Sequence, residues 1–393
     1  MNSERTVLVI ACGVTVMMGM NTSLLGPSLA TLAARSGSTL ADVGALFAAL
    51  SVGFLVSTPM IVWVSRRFGL RPLLAAPAAI MISMAVFAAA PSLPALLGAA
   101  ALLGMAQACT QLSYSTWIGL RSPDGNAAAA TLNRVLAFYG VGSLLGPFLV
   151  SICLRIWNDP LPAFAMLIVP NLAAALFGLR LPEARPAQSA QTESKTAAPR
   201  GNVLDLLRKP AVLILAFLLA VYVGAEVAFS SWVTEVVVRV VGVDAAQAAL
   251  AASGFFAGFA VGRYFAGVLI ARTGVRRGML ALLATAALGV GLTAIPGATL
   301  ATAVVAATIV GVGYGPLYPM VSSIAIRRFP ADAAAVNSVV GGIASLGMFF
   351  FPPLTGRLLV GEGVFAAWGL QAALIVVMAA VTVFARSVVE GRE

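Results

Sequence analysis

Glu226 lies in the stretch YVGAEVAFSSW, residues 222–232, inside an apolar run from about Ala211 to Val238. A carboxyl there can hold and release a proton, which its apolar neighbours cannot. An ionisable group at that depth costs at least about 2.5–3.5 kcal/mol unless it faces a cavity or a partner. Removal from water penalises the carboxylate form, which is the tuning a proton carrier needs. Tyr222, Glu226, Ser230 and Thr234 recur every four residues and so share one helix face. A polar stripe against hydrocarbon is costly, so that face is expected to look inward. The competing reading is a structural acid hydrogen-bonded to a neighbouring helix. Glu235 sits nearer the outer end of the run. Arg263 is the other deep charge. By helical rise it lies roughly 10 Å nearer the cytoplasm than Glu226, so a direct pair is not expected. It reads either as a snorkelling structural or gating residue or as a ligand or proton-linked contact.

A second set of side chains is polar but uncharged. Gln107, Gln111, Tyr114 and Ser115 form a stripe, and Asn21 and Thr22 lie in the first apolar segment. Asn133, Tyr139, Tyr222, Ser230, Tyr314, Tyr318, Asn337 and Ser345 complete the set. Amides, hydroxyls and aromatic rings suit a neutral polyhydroxylated ligand, because each ligand hydroxyl needs partners once dehydrated. Each could instead make an interhelical hydrogen bond. Tyr114, Gln111 and Asn21 are the favoured ligand contacts. The chain has no histidine, no nucleotide-cradling loop with lysine and no clustered carboxylates, so an enzyme is not expected. No cofactor or metal is expected either. Cys12, Cys109 and Cys153 fall within apolar segments without pairing or ligand spacing and read as small buried hydrophobes.

The elements that position these residues must be helices in a bilayer. Of 393 residues, 60% are hydrophobic and 10% charged, against about 25% charged in soluble domains. The mean hydropathy is +0.99. Twelve segments are long enough to cross, at about 20 residues each. They run roughly 6–33, 40–65, 70–90, 93–118, 127–153, 161–180, 210–237, 245–271, 277–295, 299–325, 333–360 and 363–386. No sustained period-two alternation supports a barrel. The first segment is too long for a cleavable signal peptide.

The net charge of +10 follows topology rather than nucleic-acid binding. With the N-terminus in the cytoplasm, Arg66, Arg67, Arg71, Arg121, Arg272, Arg276, Arg277, Arg327 and Arg328 fall in inner loops. Only Arg35, Arg155, Arg239 and Arg357 fall outside. This asymmetry places both termini inside. The expected location is the inner (plasma) membrane, and the chain is expected to act as a monomer.

A polar, proline-bearing stretch divides the chain. It gives an N-terminal six-helix bundle over 1–180, a cytoplasmic linker over 181–209 and a C-terminal six-helix bundle over 210–393. With an offset of 205 the halves align. Arg67, Gly69 and Arg71 lie over Arg272, Gly274 and Arg276, while Gly19, Gly142 and Pro147 lie over Gly224, Gly347 and Pro352. The expected fold is therefore all-α, with twelve transmembrane helices in two pseudo-symmetric bundles. Such repeats point to a transporter with its site near the midplane, between the halves. The repeated R-x-G-x-R turns read as topology determinants or as gating loops.

On these features the chain resembles the major facilitator superfamily over essentially its whole length. The turns are similar to that superfamily's G-x-x-x-D-R-x-G-R-R signature, with Arg66 and Ala271 where the aspartate usually stands. YVGAEVAFSSW, NRVLAFYGVGSLLGP (133–147), GYGPLYP (313–319) and NSVVGGIASLGMFFFPPLTG (337–356) resemble the fucose-permease-type sugar branch. Proton-coupled members of that branch carry acids where Thr22 and Gln111 stand here. Gly142, Gly146 and Pro147 also resemble a G-x-x-x-G-P element of export antiporters.

The expected function is secondary transport of a small polar, sugar-like solute by alternating access, as a proton symporter with Glu226 as the carrier. One alternative is proton-linked efflux of amphipathic compounds or drugs. Its greasier cavity would use Phe255, Phe256, Phe259, Met17, Met18 and Met20. Another is an uncoupled facilitator, consistent with the non-titrating Thr22 and Gln111. A non-transporting membrane sensor is disfavoured because no sizeable soluble domain is present.

Overall fold

The computed structural model describes residues 2–121, 125–181 and 203–390, and every regular element among them is helical. Residues 182–202, most of the expected linker, lie outside the described residues. Eleven helical segments are long and apolar enough to cross a bilayer, and a bent pair, Leu8–Ser23 with Leu25–Ser36, makes a twelfth. That pair is span 1. Spans 2 to 6 are Leu40–Ser65, Arg71–Ala89, Leu93–Ile118, Ala137–Trp157 and Leu161–Arg180. Spans 7 to 12 are Pro210–Val241, Ala245–Thr273, Val275–Thr293, Leu300–Arg328, Ala335–Gly361 and Val364–Phe384. The molecule is an all-α, multi-pass membrane protein. With hydrocarbon outside, only closed intrahelical hydrogen bonding satisfies so much backbone.

Two compact units emerge, Met1–Thr196 and Ala197–Glu393. Within the first, span 1 runs along span 5, span 2 along span 4, and span 3 against spans 4 and 6. Within the second, span 7 runs along span 11, span 8 along span 10, and span 9 against spans 10 and 12. The second set repeats the first with each span shifted by six.

The repeat extends to single glycines. A methyl group at Gly142 would strike the Val16 carbonyl, and one at Gly347 would strike the Ala220 carbonyl. Gly19 abuts the Tyr139–Ser143 turn, while Gly224 abuts Phe351 and Gly347. Small residues let helices approach this closely in lipid, where packing rather than water exclusion drives association. The aligned loop glycines are also equivalent. Gly69 has φ 74° and Gly274 has φ 78°, and each caps the preceding helix through its N–H. A residue with a side chain rarely adopts that φ, which explains glycine at both turns.

Span 1 departs from the uninterrupted segment expected over 6–33. Its two helices meet at 48°, with Leu24 between them. Pro27 has no N–H for the Ser23 carbonyl, so the ladder loses a bond at the bend. Span 10 is interrupted similarly, between Leu300–Tyr314 and Leu317–Arg328.

Substituting Gly347→Val should lower the thermal unfolding midpoint of the purified protein in detergent, because overpacking costs about 1–3 kcal/mol. Gly369→Val, at an exposed helical glycine with open space around it, should leave the midpoint nearly unchanged.

Candidate functional site

Span 7 is one continuous helix, Pro210–Val241. Proline opens it, where a missing N–H costs nothing, and Gly242 closes it in the left-handed conformation. Glu226 lies mid-helix and is half-buried. Among the described residues its carboxyl makes no ion pair, and its hydrogen-bonding neighbour is the Tyr222 hydroxyl. One turn earlier, Tyr222 is buried to 1% exposure. Its ring meets Tyr314 edge-on at 6.1 Å and Tyr318 at 6.4 Å between centroids. The Tyr314 hydroxyl is buried without a hydrogen-bond partner, while the buried Tyr222 hydroxyl has only the Glu226 carboxyl. Tyr222, Tyr314, Tyr318 and Arg263 all lie within electrostatic reach of Glu226. Leaving a buried polar group unserved costs about 1–3 kcal/mol each. The cluster is therefore open to a group that would serve the Tyr314 hydroxyl.

Span 10 contributes Tyr314 and Tyr318 from either side of its break. A methyl at Gly341 would lie 3.4 Å from the Tyr318 hydroxyl, so that tyrosine reaches span 11. Asn337, half-buried, stands one turn from Gly341 on the same face. Ser230 donates to the Val227 carbonyl at 3.2 Å. Thr234 is buried with its hydroxyl unpartnered. The expected stripe thus lies within the packed unit, with Glu226 and Ser230 half-buried and Tyr222 and Thr234 buried. Glu235 pairs with Arg239 at 2.8 Å, and Arg239 donates to the Leu359 carbonyl at 2.7 Å. Trp232 donates from Nε1 to the Pro352 carbonyl at 2.8 Å.

Arg263 does not pair with Glu226. Its Nε donates to the Gly315 carbonyl at 2.9 Å, and its guanidinium lies 4.4 Å from the Phe259 ring centroid. This is a fixed contact to span 10 rather than a snorkelling stem.

Sequence reading missed Gln371, fully buried on span 12. With its amide oriented by hydrogen bonding, it donates to the Ala225 carbonyl and accepts from the Phe229 N–H, both at 3.3 Å. It thereby brackets the turn of span 7 that carries Glu226. A lone amide in the apolar run GLQAALIVV was the available signal.

In the first unit the polar residues are largely engaged with one another. Asn21 is fully buried, and its amide exchanges two 3.1 Å hydrogen bonds with Asn171 of span 6. Asn171, a second missed amide, also donates to the Leu167 carbonyl at 2.7 Å. Thr22 and Gln107 pair across spans 1 and 4 at 2.8–3.0 Å, and Gln107 also donates to the Met18 carbonyl. Tyr114 is buried among Met18, Trp117 and Ile118 with its hydroxyl unpartnered, and Tyr139 packs against the same cluster. Gln111 is exposed, one turn from Gln107. Asn133 lies on the helix Gly125–Trp157, and its side chain is outside the described residues. Of the residues expected in the repeated loops only Gly69 and Gly274 stand between helices; Arg67, Arg71, Arg272 and Arg276 lie on the flanking helix ends, with Arg67 5.6 Å over Phe68 and 6.0 Å over Trp63. Arg71 and Arg272 are exposed and Arg276 half-buried.

The Major Facilitator Superfamily model matches residues 11–240 and 221–393. Among solved structures, a D-xylose-proton symporter is similar at a TM-score of 0.75 and 16% identity, covering 96% of each chain. The nucleoside transporter NupG is similar at 0.75 and 14% identity, covering 95% of this chain and 99% of that one. At these identities the likeness is one of fold. No curated protein matches in sequence.

The reciprocal amide pair makes a testable distinction between packing and ligand contact. Asn21→Ala and Asn171→Ala should each destabilise the purified protein by about 0.6–1.7 kcal/mol. The double substitution should cost clearly less than the sum, read as unfolding midpoints in one double-mutant cycle.

Proposed function

The chain belongs to the major facilitator superfamily, and on that premise we propose that it transports a small polar, sugar-like solute in symport with protons. One observation carries the reading: a half-buried carboxyl, Glu226, without an ion pair, set against Tyr222 in a cluster of three tyrosines where the buried Tyr314 hydroxyl lacks a partner. Glu226 takes up and releases the proton. Tyr222, Tyr314, Tyr318 and Asn337 present hydroxyl, amide and ring surfaces to the solute. A hydroxyl-rich ligand supplies both donor and acceptor to each tyrosine, while ring faces accept its C–H surface. The two fold neighbours, one for a sugar with protons and one for nucleosides, support a sugar-bearing class of substrate. Proton binding and release at Glu226 bias the alternation of access, and the repeated loops with Arg67, Gly69, Arg71, Arg272, Gly274 and Arg276 guard it. The arginine bias supports an inner-membrane protein with cytoplasmic termini.

The efflux reading loses part of its physical basis. Phe255 and Phe259 are buried, and their rings stack within the unit; Phe255 also meets Phe229, which in turn lies on Trp368. These aromatics fill the core of the unit rather than offering a free greasy wall.

Uptake by proteoliposomes, screened over monosaccharides and nucleosides with D-xylose first, tests the proposal. Glu226→Gln should abolish accumulation driven by a pH gradient while leaving counterflow of the same solute. Undiminished uphill uptake in that variant would remove Glu226 from the mechanism.

A further inference from the structure

Span 10 breaks between Tyr314 and Leu317, with Pro316 inside the break and Pro319 just after it. Pro316 cannot donate to the Val312 carbonyl, and Pro319 cannot donate to the Gly315 carbonyl. A carbonyl freed in this way inside a membrane protein must find another donor. The Gly315 carbonyl finds one in Arg263, whose Nε lies 2.9 Å away. The arginine is held for this contact. Its guanidinium rests 4.4 Å from the centroid of Phe259, one turn earlier on span 8. Gly315 has no side chain to intervene, since a methyl there would strike the Phe259 carbonyl. The break also sets the tyrosines. Tyr314 precedes it, Tyr318 follows it, and both rings rest on Tyr222, one turn from Glu226.

We propose that Arg263 is a positioning residue that replaces the amide hydrogen Pro319 lacks, fixing the broken turn of span 10 and with it the tyrosine frame around Glu226. Its positioning role is donation from Nε to one backbone carbonyl, separate from the charge it also sets near Glu226. The consequence for transport rests on Glu226 and the tyrosines forming the transport site; the test does not.

Hydrogen exchange of peptides spanning residues 311–325, in the purified full chain in detergent, separates donor from charge. Arg263→Leu removes both and should speed exchange there by about tenfold, the effect of stripping a buried acceptor of its partner. Arg263→Gln keeps a donor without the charge, because its amide nitrogen is as many bonds from the backbone as arginine Nε; its exchange should stay near that of the unsubstituted protein. Pro319→Ala restores the missing N–H, so Arg263→Leu combined with Pro319→Ala should return to slow exchange. Exchange in Arg263→Gln as fast as in Arg263→Leu would overturn the proposal, as would failure of Pro319→Ala to slow the leucine variant. If Arg263→Leu gives no folded protein, Arg263→Gln set against Arg263→Lys decides. A protected glutamine variant supports the donor role, and protection by lysine alone assigns the effect to charge.

Discussion

Inside hydrocarbon a backbone carbonyl or a side-chain hydroxyl has no water to turn to, so each must find a partner within the protein. Much of this structure follows from how that demand is met. Helices close their own ladders almost everywhere. Where proline opens one, a side chain or a bend takes up the loss. Arg263 serves the Gly315 carbonyl, and span 1 turns by 48° before Pro27. Buried amides serve the same end, as Asn21 with Asn171 and Gln371 on span 7 show.

Against that background the exceptions carry the chemistry. The Tyr314 hydroxyl is buried without a partner, close to Glu226 and Tyr222, which have only each other. Buried hydroxyls also stand unserved at Tyr114 and Thr234, but of these only the Tyr314 hydroxyl lies beside a deep carboxyl. The arrangement is also rigid. Span 7 is pinned by Trp232 to the Pro352 carbonyl, by Arg239 to the Leu359 carbonyl and by Gln371 around the Glu226 turn.

The internal repeat shows how one packing solution serves different chemistry. Gly19 with Gly142 and Gly224 with Gly347 make equivalent close approaches in the two units. At the same offset Asn21 lies over Glu226. In the first unit that position is fully buried and spent on an amide pair; in the second it is a half-buried acid set against a tyrosine of its own helix. The scaffold is shared, while the polar positions have diverged.

Sequence alone determined the class of solvent, the number and order of the spans, the repeat and the depth of Glu226. These depend on hydropathy, on fixed helical rise and on glycines demanded by the loops at 69 and 274, all local properties of the chain. It also showed that Tyr222, Glu226, Ser230 and Thr234 share a face. It did not show which polar residues are used up on one another. Asn21 and Gln111 read alike in an apolar run, yet one is sealed against Asn171 and the other exposed. Arg263 read either as a snorkelling structural or gating residue or as a ligand or proton-linked contact, and Gln371 and Asn171 passed unnoticed. Only tertiary structure decided these, because a hydrogen bond between spans depends on which residue faces which across residues far apart in sequence. No periodicity within one helix records its neighbour's register.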